Sequence, residues 1–299
     1  MARSIFRLGA VAAAVAAVIM GARCSEEPTA VEPEGPQYVG EWGSEGTANG
    51  LFDQPRRCAV APDGKVYVAD TGNSRVQYFT STGSFLGKWG SYGRRNGAFV
   101  EPSGIAVAPN GNVYVADTSL CRLQYFTPAG GFLGKWGVNG EGEGEFRSPT
   151  GVAVSPEGHV YVADTDNHRI QFFSRTGTFL GGRGFPEPGN DDGFFDSPSD
   201  VAIGANGRVF VADCYNHRIQ YFSPDMRTFL GKWGREGTGN RQFRYPRGLE
   251  VGPDEYLYVT ESARVQYFTQ GGAFQGKWGS AGTGTGEFAS ARGVAVSAA

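Results

Sequence analysis

Cysteine is scarce in this chain, and its scarcity removes two kinds of chemistry at once. The four cysteines, Cys24, Cys58, Cys121 and Cys214, form no C-x-x-C pair and stand beside no histidine at metal-finger spacing. Neither a zinc module nor a disulfide framework is indicated. Proline, at 16 residues against 47 glycines in 299, is far too rare for a collagen-like chain. Charge of one sign is missing as well: 27 Lys plus Arg face 30 Asp plus Glu, a net charge of −3 that argues against a general binder of polyanions. The apolar run from Leu8 to Ala22 spans 15 residues, short for a membrane-crossing helix.

What is abundant points to strands. Aromatics make up 13% of the residues, too many for a disordered chain. Glycine at this density, costing about 1 kcal/mol per helical position relative to alanine, disfavours helices. Mixed with Tyr, Phe, Trp and Val, it predicts many short strands joined by tight turns.

The first 37 residues differ from the rest. Arg3 and Arg7 precede the Ala- and Val-rich run, the layout of an export signal. An acidic, proline-containing linker follows at 25–37. With Cys24 opening that linker, residues 1–24 resemble the signal of a bacterial lipoprotein, in which the cysteine carries the lipid. Arg23 and Gly21 stand where such signals have a small residue and a leucine. Ordinary cleavage near Ala22 is the alternative. Both readings place residues 38–299 outside the cytoplasm, in the periplasm or at the cell surface.

Residues 38–299 are one unit repeated. Trp42, Trp89, Trp136, Arg183, Trp233 and Trp278 recur at steps of 47, 47, 47, 50 and 45. The string V-Y-V-A-D or a variant ends at Asp70, Asp117, Asp164, Asp213 and Glu261, in steps of 47, 47, 49 and 48. Each copy holds four strand-like runs separated by turn residues such as Pro62-Asp63-Gly64 and Ala205-Asn206-Gly207. The runs are apolar on both faces, so each four-stranded antiparallel sheet must be covered on both sides. Sheets of that kind, repeated in series, predict an all-β propeller.

The stretch Pro149 to Phe173, with Asn167-His168-Arg169-Ile170 and its counterpart Asn216-His217-Arg218-Ile219, closely resembles the NHL repeat. The resemblance extends over residues 38–299 and implies a six-bladed propeller. Five copies are complete. Tyr38 to Gly43 matches only a last strand and Ala289 to Val296 only a first strand, so the sixth blade is expected to lack its two middle strands. A five-bladed ring is the alternative.

Within each blade an acid ends the second strand and an arginine opens the third: Asp70 with Arg75, Asp117 with Arg122, Asp164 with Arg169, Asp213 with Arg218 and Glu261 with Arg264. Repetition in every blade is what a structural ion pair predicts. Metal lyases related to NHL propellers hold zinc with several histidines over the channel. Here His168 and His217 occupy equivalent turns while His159 falls at the opposite end of a strand, so the three cannot converge. Asn190, Asp191, Asp192 and Asp196 match no calcium loop and read as solvated acids. No catalytic set, metal or cofactor is expected.

The blade connectors differ more than the strands. Arg94 and Arg95 mark one, Arg241, Arg244, Tyr245 and Arg247 another, with acidic connectors carrying Glu141, Glu143, Glu145, Asp191 and Asp192 between them. A face split by sign orients a protein partner better than it holds a phosphate chain. The expected function is an exported, non-enzymatic scaffold that binds a protein, peptide or envelope glycan and no nucleic acid. Phe194, Phe195, Tyr215 and Tyr245 would give apolar contact, and the arginines and Asp191 and Asp192 a charged rim. The alternative is an exported metal-dependent enzyme of the lyase or lactonase kind.

Overall fold

The computed structural model describes residues 3–8, 14–20 and 37–297. Cys24 and nearly all of the 25–37 linker lie outside the described residues.

Five four-stranded antiparallel blades follow the repeat. Blade 1 is built from Arg57–Val60, Val66–Asp70, Arg75–Phe79 and Phe85–Trp89, and blades 2 to 5 repeat the pattern up to Phe274–Trp278. In every blade the second strand is wholly buried, as Val66–Asp70 and Val113–Asp117 show. The fourth strand alternates between half-buried and exposed, because it is the outer edge.

The closing sheet is of another kind. Ala291–Ser297 lies innermost, between the inner strands of blades 5 and 1, and Gln37–Trp42 lies outermost, the two places the repeat pattern assigns them. The two middle positions, expected to be empty, hold Ala14–Met20 and Arg3–Leu8. Ala14–Met20 joins the innermost strand and Arg3–Leu8 the outermost strand in parallel, unlike any pairing in the five repeat blades. Two unmet strand edges offer rows of free N–H and C=O groups, and a β-prone Ala/Val segment can satisfy them in either direction.

Blade-to-blade packing explains the Trp and Gly markers. Trp42, Trp89, Trp136 and Trp233 each lie against a turn glycine of the following blade, as Trp42 does against Gly83, whose φ is +87°. A Cβ at that glycine would sit 2.6 Å from the indole, so the turn needs glycine both for its dihedral and for space. The G-x-F element puts Phe52, Phe99, Phe146, Phe195 and Phe288 into cores between blades, and Phe243, where arginine replaces the glycine, fills the sixth.

This placement corrects one expectation. Phe195 is fully buried against Phe222, so it has no surface to offer a partner.

Candidate functional site: the channel mouth

The connectors are held in place by the acid–arginine pairs together with a glutamine two residues beyond each arginine. Asp70 accepts from Arg75 at 2.6 Å, from Gln77 at 3.0 Å and from the Asp53 amide at 2.8 Å. Arg75 then donates to the carbonyls of Thr47, Ala48 and Leu51 in the preceding connector. The same pairs form at Asp117 with Arg122 (3.1 Å), Asp164 with Arg169 (2.7 Å), Asp213 with Arg218 (2.7 Å) and Glu261 with Arg264 (2.7 Å). Burial holds the carboxyls of Asp70, Asp164 and Asp213 above their ordinary range even beside arginine. The glutamines, Gln77, Gln124, Gln171, Gln220 and Gln266, close the arrangement by accepting a connector amide and donating to a connector carbonyl.

Rigid connectors deliver one residue per blade to the top of the central channel. It directly precedes the inner strand or is its second residue, following Pro55, Pro102, Pro149, Pro198, Pro246 and Ala291. In order it is Arg56, Ser103, Thr150, Ser199, Arg247 and Arg292. Blade 5, the closing sheet and blade 1 thus contribute an arc of arginines, and blades 2, 3 and 4 an arc of hydroxyls. Together with Tyr215 and Tyr245 they line a cavity of about 430 Å³.

The next residue around the ring forms the floor. In four blades it is Gly104, Gly151, Gly248 or Gly293, and a Cβ on Gly104 or Gly248 would collide with the neighbouring inner strand's carbonyl. In the opposed blades 1 and 4 it is Arg57 and Asp200, which form an ion pair across the channel. Arg57 also donates to the carbonyls of Ser199 (2.7 Å) and Arg247 (2.9 Å), and Asp200 accepts the Leu249 amide at 2.8 Å. At this bridge lies a small cavity of about 20 Å³, lined in part by Glu250, where the other inner strands have alanine. Burial and the nearby Asp200 charge push the Glu250 carboxyl up to about 8.

The two arcs differ in what they leave open. Thr150 donates to the Ser199 carbonyl and Ser199 to the Pro246 carbonyl, each at 2.8 Å, so these hydroxyls are committed between blades. Arg56 pairs with Glu101 at 2.5 Å. Arg247 and Arg292 have no acidic partner among the described residues, and the Nε atoms of Arg56, Arg247 and Arg292 are buried without a hydrogen bond. Desolvation, then Arg56, Arg247 and Arg57, hold the Arg292 guanidinium below its ordinary range.

Of the residues expected to bind, Arg247, Tyr215 and Tyr245 reach this cavity, and the two tyrosines meet edge to face at 5.5 Å. Arg94, Arg95, Arg241 and Arg244 stand exposed on connectors away from it. Asp191 is exposed, Asp192 pairs with Lys232 at 2.6 Å, and Phe194 stacks on Phe185 at 4.4 Å. His168 and His217 use Nδ1 to accept the amides of Ser197 and Tyr245, and neither lines the cavity. Among the described residues no group of three or more His, Cys, Asp or Glu side chains is placed to hold a metal.

A family model for the NHL repeat matches residues 52–79, 99–126, 146–173 and 195–222, one match in each of blades 1 to 4. The protein is an NHL-repeat β-propeller. Solved structures agree on the fold of this NHL propeller. A chain of a nidogen/laminin complex is 17% identical, with 83% of this chain and 87% of that one covered and a TM-score of 0.61. Virginiamycin B lyase from Staphylococcus aureus is 15% identical, with 74% and 68% covered and a TM-score of 0.55. At such identities the likeness shows the fold alone. A search of curated proteins finds no match to the NHL chain.

Proposed function

We propose that this NHL propeller is an interaction scaffold that holds a protein or peptide partner on its connector face, over the channel mouth. The observation that carries the reading is the cavity itself: it is floored by an ion pair, rimmed by exposed tyrosines and set in connectors that the acid–arginine–glutamine clusters keep rigid. Tyr215 and Tyr245 are 56% and 40% exposed, enough apolar surface for an anchoring contact. The nidogen/laminin neighbour is a protein complex, which supports a binding role for the fold. An envelope glycan is the alternative ligand.

The N-terminal pattern of Arg3, Arg7 and the following apolar run supports export, with Cys24 as the lipid attachment point. Cleavage after residue 23 would remove both middle strands of the closing sheet and leave its inner and outer strands with open edges.

The test is a pull-down from envelope extract with the full chain. The variant Arg241→Glu, Arg244→Glu, Arg247→Glu is compared with Lys65→Glu, Arg208→Glu, Arg227→Glu, an equal charge change on the opposite face. Loss of a specific capture in the first variant alone supports the reading. Equal captures from both variants and the unmodified chain refute it.

A further inference from the structure

The chemistry of the cavity narrows the partner, and this step rests on the binding role just proposed. Three arginines on consecutive blades converge on one mouth, where the other three blades supply Ser103, Thr150 and Ser199. Among the described residues only Arg56 of the three forms an ion pair, and the three Nε–H donors have no hydrogen-bond partner. Like charges brought together at one mouth oppose one another, as Arg56, Arg247 and Arg57 do Arg292, so the arc favours an anion between them. Guanidinium groups match planar oxyanions through paired N–H donors. Across the cavity, the Thr150 and Ser199 hydroxyls have given their protons to carbonyls and keep acceptor lone pairs, one of them on Thr150 facing the Thr165 hydroxyl at 2.6 Å. A ligand that suits both arcs carries an oxyanion on one side and an N–H donor on the other.

We propose that the channel mouth is an oxyanion receptor, formed by Arg247 and Arg292 with Arg56, that takes a carboxylate side chain from an acidic segment of a peptide partner while Thr150 and Ser199 accept from its backbone N–H groups.

Two features favour a short acidic peptide over an extended polyanion. The Arg57–Asp200 bridge closes the floor, so the cavity accepts a side chain and not a threaded strand. Outside the mouth, Glu143 and Asp191 are exposed on the same face and would repel a continuous run of phosphates. Arg57 is neutralised by Asp200 and takes no part in anion capture.

The experiment is calorimetry on the full chain with a blocked hexapeptide carrying Asp and Glu at its centre, its Asn/Gln analogue, and inorganic phosphate. The acidic peptide should bind at least tenfold more tightly than the neutral analogue. Arg247→Gln and Arg292→Ser should each weaken it about tenfold or more, and Arg94→Gln with Arg95→Gln should leave it unchanged. Serine is what blades 2 and 4 carry at the ring position, and a thermal melt verifies that Arg292→Ser folds. Equal affinity for the neutral analogue, or arginine variants that bind unchanged, overturns the receptor while leaving partner binding at the face intact. Arginine-dependent binding of phosphate without the peptide overturns the peptide assignment and makes the ligand a small oxyanion. Failure of all three probes to bind at millimolar concentration overturns the inference.

Discussion

The ion pair across the channel floor offers a quantitative test of how this ring is closed. Asp200 is 4% exposed, and its carboxylate meets Arg57 and the Leu249 amide; Arg57 reaches two carbonyls besides. Asp200→Gly strands a buried guanidinium and an amide, which for a broken buried pair costs about 3–5 kcal/mol. Arg57→Gly leaves a buried carboxylate with backbone amides alone as donors, at a similar cost at neutral pH. Because burial raises the Asp200 carboxyl, this variant should be most stable at acidic pH, where the folded state keeps its proton, and should lose stability as pH rises. Changing both residues to glycine reproduces the floor position of the other four blades and leaves no charge uncompensated. The double variant should lose only about 0–2 kcal/mol, giving a coupling of at least ~4 kcal/mol. At about 2–4 °C per kcal/mol for a chain of this size, either single variant should melt roughly 6–20 °C lower. Calorimetric melts, with agreement of calorimetric and van't Hoff enthalpies as the two-state check, read all four corners of the cycle. Single losses that simply add up in the double variant would refute the argument.

Other consequences follow from the same contacts. Glu250, with its carboxyl at about 8 in the folded chain against 4.5 ordinarily, contributes stability that is fully present below about pH 4.5 and is lost as pH rises through about 8. Glu250→Gln should therefore flatten the decline in melting temperature between those values, by at most ~1.4 kcal/mol per pH unit; an unchanged pH profile contradicts it. Gln171→Ala removes bonds to Gly144, Glu145 and Asp164, should cost about 2–3 kcal/mol, and should speed amide exchange in the 141–146 connector ahead of the other connectors. Arg292→Ser removes one of several like charges from the mouth and should raise the melting temperature of the free protein, most at low salt; a lower melting temperature at every salt concentration would count against like-charge strain.

Most of the ring was legible because two markers share one period, and each marker has a packing reason. The V-Y-V-A-D string is the fully buried second strand, and the tryptophan lies on the next blade's turn glycine. Phe195 shows what charge and hydropathy alone cannot separate. It sits beside Phe194 in an acidic connector, but it occupies the place of Phe52, Phe99 and Phe146, all of them core residues. The arginine arc was hidden for a related reason. Arg241 and Arg244 stand out as a cluster along the chain, whereas Arg56, Arg247 and Arg292 are far apart in sequence and meet only when the residues after the repeat's proline are compared copy by copy. The middle strands of the closing sheet carry neither marker, so nothing in the repeat pattern announces them.

The central claim, that the connector-face mouth is where a partner sits, is tested most directly by photo-crosslinking. A benzophenone amino acid replaces Tyr245 at the rim in one sample and His159 on the opposite face in another, each exposed to envelope extract and irradiated. The account predicts a discrete adduct from position 245 alone, competed away by the acidic hexapeptide. An adduct from position 159 alone, or none from 245 under conditions where capture is seen, would contradict it.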